Sequence, residues 1–286
     1  MVVTPESNDE QTARWNGPAG QAWVDLQGVL DEMFRPLEDL LVEGIVAKPG
    51  GGVLDVGCGT GSTTLAAARR SGGAGRCVGI DLSGPMIAVA RERAERAGVP
   101  ARFLHADAQE HTFDPAAFDT IMSRFGVMFF DDPVRAFANL RWAAAADAEF
   151  RFVAWRSAAE NPFMTTAERA AAPFLPERPA PRPDAPGQFA FADRGRIQRV
   201  LEASGWAGID IRPIDVVCTL PEPELERYFT RLGPLAQVLH EVDGPTREQV
   251  IDTVRPGFDT YLHGGEVRFT AACWLVRTRA APHPIP

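Results

Sequence analysis

The chain is 286 residues long, enough to bury the core of one large α/β domain with insertions. Its hydrophobic fraction of 45%, with charges of both signs dispersed, describes a globular chain, and its formal net charge of -9 argues against a partner held by phosphate neutralisation. Nucleic acid is therefore not expected as a partner, nor is a membrane, because no stretch approaches the ~18 uninterrupted apolar residues of a span. The start, "MVVTPESNDEQ", has neither a basic nor an apolar leader region, so the expected location is the cytoplasm.

The predicted elements alternate along the chain. After a helical N-terminal segment over 22–47 come the strand "GVLDVG", a helix over 63–71, the strand "RCVGIDL", a helix over 84–97 and the strand "ARFLHAD". The strand "FDTIMS", a helix over 133–145 and the strand "EFRFVAW" follow. Such alternation predicts a parallel sheet with helices on both faces, a doubly wound α/β domain. The stretch "PFLPERPAPRPDAPG" over 173–187 is too rich in proline for a helix or central strand and reads as a surface loop or lid. A helix over 193–204 follows, with Asp193 as its N-cap and Gly205 as its stop, then the strand "IDIRPIDVVC". Helical patterns over 222–263, broken at Gly233, Gly244 and Pro256, precede a last strand, "EVRFTAACWLV". Helices inserted between the last two strands predict an antiparallel finish to the sheet. The inserted block then lies over the carboxyl edge, where open α/β sheets bind ligands.

Four cysteines, Cys58, Cys77, Cys218 and Cys273, are far apart and lack ligand spacing, which predicts buried free thiols and no metal. Cys58, in a loop entering a helix, also meets the condition for an activated thiol, but a small residue there is equally explained by a tight turn.

The chemistry concentrates in "VLDVGCGTGSTTLAAARR". Gly57, Gly59 and Gly61 permit positive φ and close backbone approach, and the helix that starts near Thr63 offers unpaired N–H groups. The spacing GxGxG fits neither the dinucleotide fingerprint GxGxxG nor a P-loop, which needs GxxxxGK. Asp55 closes the first strand, where its carboxylate repels a pyrophosphate and attracts an amino group. Asp81 ends the second strand twenty positions after Gly61, where an acid accepts hydrogen bonds from both ribose hydroxyls. Asp107 ends the third strand at a distance that suits an adenine amino group. Three acids on three successive strand ends point to a ligand with a cationic head, a ribose and an adenine.

At this point the chain resembles a known family. "VLDVGCGTG", "VGIDLS", "ADA" at Asp107 and "FDTIMSRFGVMFF" are similar, in order and spacing, to the motifs of class I S-adenosylmethionine-dependent methyltransferases over residues 52–155. The resemblance implies a Rossmann-like seven-stranded sheet with an antiparallel last strand. It also implies S-adenosylmethionine as cofactor, S-adenosylhomocysteine as product and a small-molecule methyl acceptor. In that family the glycine loop, with Cys58 and Thr63 beside it, cradles the methionine part. Asp81 binds the ribose, and Asp107, Ala108 and Gln109 adjoin the adenine. Leu82 and Met86 pack on the adenine, and Ser123 with Arg124 lies near the reactive methyl. "RWNGPAGQAW" and "CWLV" resemble a bacterial small-molecule subgroup related to ubiquinone and menaquinone biosynthesis; there Trp15 and Trp23 belong either to ordinary helix packing or to a lid over the cofactor. The family's "PGG" turn before the fifth strand is replaced by "AAAADAEF".

The expected organisation is an N-terminal helical lid over 1–48 and a methyltransferase domain over 49–286, with cap segments near 156–192 and 222–263, in a monomer or homodimer. Methyl transfer is an in-line displacement that needs alignment and water exclusion, with a base only where the acceptor must lose a proton. His240, with Glu241 beside it, is the favoured base; His263 and His111 are alternatives, and His105 reads as structural. Arg124 belongs either to the pocket or to an ion pair with a nearby acid. Aromatic residues at 125, 129, 130, 155, 163, 228 and 229, with Met128, suit a roof over a planar aromatic or heterocyclic acceptor. A nicotinamide-dependent oxidoreductase, a noncatalytic cofactor-binding protein and a methyltransferase acting on a macromolecule are the competing readings.

Overall fold

The computed structural model describes residues 8–45, 51–72, 75–174, 185–233, 235, 236, 239 and 242–281. Strand β1 (Gly52–Val56) is buried along its whole length, because it pairs in parallel with β2 (Arg76–Asp81) on one side and β4 (Phe118–Arg124) on the other. Its apolar residues Val53, Leu54 and Val56 face helices from both sides, so the run is continuous rather than alternating. β3 (Ala101–His105) adds outside β2, and β5 (Ala144–Trp155) adds in parallel to β4. β6 (Trp206–Pro221), the two-residue β7 (Leu262–His263) and β8 (Glu266–Ala280) finish the sheet. The order is β3-β2-β1-β4-β5-β8-β6, with β8 antiparallel to both neighbours and β7 folded back on β8. The doubly wound sheet with an antiparallel last strand is thus present; β7, a short addition beside Gly264 and Gly265, makes the strands eight rather than seven.

Local chemistry sets the helix boundaries. Ser83 accepts a hydrogen bond from the Met86 N–H at the start of α6 (Gly84–Ala97), which ends at Gly98 in the left-handed region. Asp132 does the same for Arg135 at the start of α7 (Pro133–Ala143), and Asp193 takes the Gly195 and Arg196 N–H groups at α9 (Arg194–Ala203). In place of the "PGG" turn, β5 begins directly after α7 and carries an irregularity. Phe118 pairs with Ala144 and Thr120 with Glu149, so surplus residues bulge out around Asp147, which has φ +60°.

The N-terminal segment is helical, as expected, but its helices begin at Asn8 rather than near 22. It is four short helices, α1 (Asn8–Asn16), α2 (Pro18–Asp25), α3 (Gln27–Met33) and α4 (Arg35–Val42). Pro18 and Pro36 enforce two of the breaks, and Leu26, which is buried at the third, packs into the core instead of continuing the helix. Leu26, Leu30, Met33, Phe34, Leu37 and Leu41 all join the main core beside Phe150, Phe152 and Trp155 of β5. Between β5 and β8, helices α8 (Pro162–Ala170) and α10 (Leu225–Arg231) and the helix Gly244–Val254 share that core through Phe163, Phe229 and Val254.

Candidate functional site

The carboxyl ends of β1, β2, β3 and β4 converge on a cavity of about 290 Å³, to which residues from β5, α8 and α10 and the turn at Phe258 also contribute. The glycine loop forms one wall. At Gly57 (φ +67°) a Cβ would fall 2.5 Å from the Gly126 Cα, so only glycine lets the β1 and β4 loops meet. At Gly59 (φ +53°) a Cβ would meet the Met86 sulfur at 3.5 Å and nothing else within 4 Å, which leaves the backbone open to a ligand. Gly61 plays a different part: it caps α5 (Ser62–Arg70) at φ +87°, and a side chain there would crowd Ala90 and the Phe103 ring at 3.0 Å.

Two acids sit behind this loop. The Asp81 carboxylate lines the cavity and accepts from the Gly59 N–H (2.7 Å) and the Ser83 N–H (2.8 Å) through different oxygens. A carboxylate has about four acceptor positions, so two remain for a vicinal diol. Burial raises the Asp81 pKa, while the Ser83 and Gly59 N–H groups oppose that shift. Asp55, 1% exposed, lies deeper. Its Oδ2 accepts from the Thr64 hydroxyl at 2.6 Å, and its Oδ1 has no hydrogen-bond partner among the described residues. Burial pushes its pKa up to about 7, with the Thr64 hydrogen bond and the Arg124 charge acting against it.

Leu82, Met86, Asp107 and Ala108 line the cavity beside Asp81, and Trp15 and Trp23 cover it from α1 and α2. Trp15 meets Trp23 edge-on at 6.4 Å and Phe129 at 5.0 Å. Cys58 and Thr63 line a smaller recess of about 40 Å³ on the other side of Gly57 and Gly59. The Cys58 thiol is held well above its usual range, first by burial and then by the charges of Asp81 and Asp55, so it is not an activated nucleophile.

Several expected site residues lie away from the cavity. Ser123 is fully buried; its hydroxyl donates to the Val56 carbonyl at 2.7 Å and accepts from the Gly126 N–H, which holds the β1 and β4 ends together. Gln109 accepts from the Asp132 N–H at 2.9 Å and fixes the start of α7. Arg124, by contrast, lines both the cavity and the recess, with its guanidinium 3.8 Å from Glu38 and 5.8 Å from the centre of the Phe34 ring. His240 and Glu241 lie outside the described residues. His105 is exposed, with Nε2 3.1 Å from the Leu82 carbonyl; His111 packs edge-on against Phe113 at 4.7 Å, and His263 is exposed in β7.

Every aromatic residue expected in the roof, Phe125, Phe129, Phe130, Trp155, Phe163, Tyr228 and Phe229, lines the cavity, together with Met128. Sequence reasoning missed Gln11, Phe34, Met164, Glu168 and Phe258, which also line it. The missed residues come from helices whose register only tertiary packing decides; the density of aromatic residues near 258 was the available signal.

S-adenosylmethionine fits these groups. The open side of Gly59 admits its methionine part, and the free acceptor positions of Asp81 match ribose hydroxyls; Asp55, expected beside the ligand, is buried and lines neither space. Comparison with known proteins agrees. A family model described as a methyltransferase domain matches residues 53–145. Nocamycin O-methyltransferase of Saccharothrix syringae is 36% identical over 112 residues, covering 37% of this chain and 40% of that protein. Demethylmenaquinone methyltransferase of Thermus thermophilus is 41% identical over 88 residues, covering 31% of this chain and 40% of that protein. Both matches thus span about two-fifths of the relatives' own length. The crystal structure of the YcgJ protein from Bacillus subtilis shares the fold, with a TM-score of 0.58 at 18% identity, over 87% of this chain and 100% of that one. The glycine loop and Asp81 both lie within the stretch, residues 53–145, that matches the methyltransferase domain.

Proposed function

We propose that the protein transfers the methyl group of S-adenosylmethionine to a small, planar, weakly polar metabolite, an aromatic or heterocyclic ring, in natural-product metabolism in the cytoplasm. One observation carries this reading: a single cavity runs from the glycine loop and Asp81 to walls made of Trp155, Phe163 and Tyr228, so cofactor and acceptor meet inside one apolar space. The names of the two relatives, nocamycin O-methyltransferase and demethylmenaquinone methyltransferase, supply the small-molecule class.

When bound, the sulfonium supplies an electrophilic methyl group. The chain's own residues align and dry the reaction. Asp81 and the Gly57 to Gly59 backbone fix the cofactor, Leu82 and Met86 flank its adenine, and the N-terminal helices over 8–42 act as a lid that excludes water through Trp15 and Trp23. Arg124, tied to Glu38, positions the carboxyl end of β4 beside the reacting groups. A base is needed only where the acceptor must lose its proton before attack, and an electron-rich ring carbon, which loses it after transfer, is among the acceptors this site would serve.

The test is calorimetric titration with S-adenosylmethionine, S-adenosylhomocysteine and NAD, then incubation with labelled S-adenosylmethionine and a panel of indoles, phenols and amines. Binding of the first two ligands and a labelled small-molecule product is expected. Absence of binding, or label transferred only to protein or RNA, rejects the reading.

A further inference from the structure

Resting on the methyl-transfer reading above, we propose that Tyr228 is the hydrogen-bond donor that selects the acceptor, and that the acceptor is an uncharged planar ring bearing a carbonyl or hydroxyl oxygen. The basis is a buried hydroxyl with a poor partner. Tyr228 is 8% exposed and lines the cavity, and among the described residues its hydroxyl meets one hydrogen-bond partner, the Met164 sulfur, at 3.7 Å. A thioether is a weak acceptor, so this O–H keeps most of its donor capacity for an oxygen that enters the chamber.

The packing of the ring does not explain the hydroxyl. The Tyr228 ring stacks on Phe163 at 5.6 Å, and Phe163 stacks in turn on Phe269 at 3.9 Å. Phenylalanine would make the same contacts without the buried polar atom. Burial also raises the Tyr228 pKa, so the group is a neutral donor at neutral pH and not a base.

The chamber around it states the rest of the preference. Phe125 and Trp155 lie parallel with centroids 4.5 Å apart, and Phe258 closes the space beside Phe163 at 5.4 Å, so the walls are flat aromatic faces. Among the described residues the cations of the lining are Arg14 and Arg124, one on α1 over the Trp15 ring and the other held by Glu38, while α8 contributes an acid, Glu168. Each of these two cations already faces a partner within the described residues, so a phosphate or carboxylate placed at Tyr228 would compete with Trp15 or Glu38 for its charge, a cost that an uncharged oxygen avoids.

The experiment compares 1-naphthol, naphthalene and 1-naphthyl phosphate as ligands of the full chain saturated with S-adenosylhomocysteine, read by tryptophan fluorescence and calorimetry. The wild type is expected to bind 1-naphthol about tenfold more tightly than naphthalene, the worth of one hydrogen bond, and more tightly than the phosphate. Tyr228→Phe is expected to bring 1-naphthol and naphthalene within about twofold of each other while S-adenosylhomocysteine affinity stays unchanged. A preference that survives in Tyr228→Phe, or a wild type that does not distinguish 1-naphthol from naphthalene, overturns the role of Tyr228. Equal binding of the phosphate overturns the uncharged class. Failure to bind S-adenosylhomocysteine overturns the methyl-transfer reading instead, and the naphthol comparison repeated without it still decides the role of Tyr228.

Discussion

Asp81 and Asp55 sit within one loop of each other and do opposite things with burial. Asp81 is buried but answered by two backbone N–H donors, so it holds the Gly59 turn and still has acceptor positions to offer. Asp81→Ala is expected to weaken binding of S-adenosylmethionine and S-adenosylhomocysteine by ~2 kcal/mol, about 30-fold, as for the loss of a charged hydrogen-bond partner. Calorimetry that found both affinities unchanged would remove Asp81 from the ribose site. Asp55 is answered by one hydroxyl, and its pKa in the folded state, about 7, lies above the ordinary 3.8. Between those values the folded chain keeps a proton that the unfolded chain has lost, so the contribution of Asp55 is intact below pH 4 and is lost as pH rises through 7. Asp55→Asn, a neutral mimic of the protonated acid, should therefore match the wild type near pH 4 and be the more stable protein at pH 8, by about 4 kcal/mol at most. Thermal midpoints across that pH range decide it: parallel curves for the two proteins would show that Asp55 is ionised throughout.

At the scale of elements, the glycine loop is held from outside by the N-terminal helices. Asn16 at the end of α1 donates to the Leu82 carbonyl (3.0 Å) and accepts from the Gly84 N–H (2.9 Å), joining that helix to the β2 turn that carries Asp81. Asp31 of α3 pairs with Arg93 of α6, whose Nη1 also donates to the Thr60 carbonyl at 2.7 Å, and Glu38 of α4 accepts from Ser62 at the start of α5. Asn16→Ala should release α1 while leaving the sheet intact. The expected result is trypsin cleavage after Arg14 about fivefold faster, from the loss of ~1 kcal/mol of local stability, with S-adenosylhomocysteine restoring part of the protection. A cleavage rate equal to that of the wild type would show that α1 is held by Trp15 and its neighbours alone. This clasp was not legible in the sequence: Asn16 lies in the "RWNGPAGQAW" stretch, but its partners at Leu82 and Gly84, like the pair Asp31 and Arg93, are far apart in the chain. The sheet was legible for a physical reason: strands buried on both faces must read as apolar runs, and Ser83, Asp132 and Asp193 mark helix starts by hydrogen bonds local enough to show in sequence. The four-way division of the N-terminal helices was partly signalled by Pro18 and Pro36, but the break at Leu26 is made by tertiary burial. Ser123 and Gln109 illustrate the same limit at the site, since position on a strand end does not say whether a polar side chain turns to the ligand or to a neighbouring backbone.

For the molecule as a whole, the question is whether the N-terminal helices, the sheet and the helices between β5 and β8 melt together. The core is continuous: Leu30, Met33, Phe34 and Leu37 from the N-terminal helices, Phe150 and Phe152 from the sheet and Phe163, Phe229 and Phe258 from the helices between β5 and β8 belong to one buried cluster. No part of it can be exposed without stripping apolar contacts from the others, so the chain is expected to unfold in one thermal transition. A ligand that binds the native state alone adds RT ln(1 + [L]/Kd), about 2.7 kcal/mol at a hundredfold excess over Kd. For a chain of this size each kcal/mol moves the midpoint by roughly 2–4 °C, so saturating S-adenosylhomocysteine should raise the single transition by about 5–10 °C. The alternative makes a different curve. If the N-terminal helices are a separable lid, a low-temperature step will precede the main one, the cofactor product will shift that early step most, and Asn16→Ala will enlarge the gap between the two. Scanning calorimetry with and without the ligand distinguishes these outcomes, and the continuous core favours the single transition.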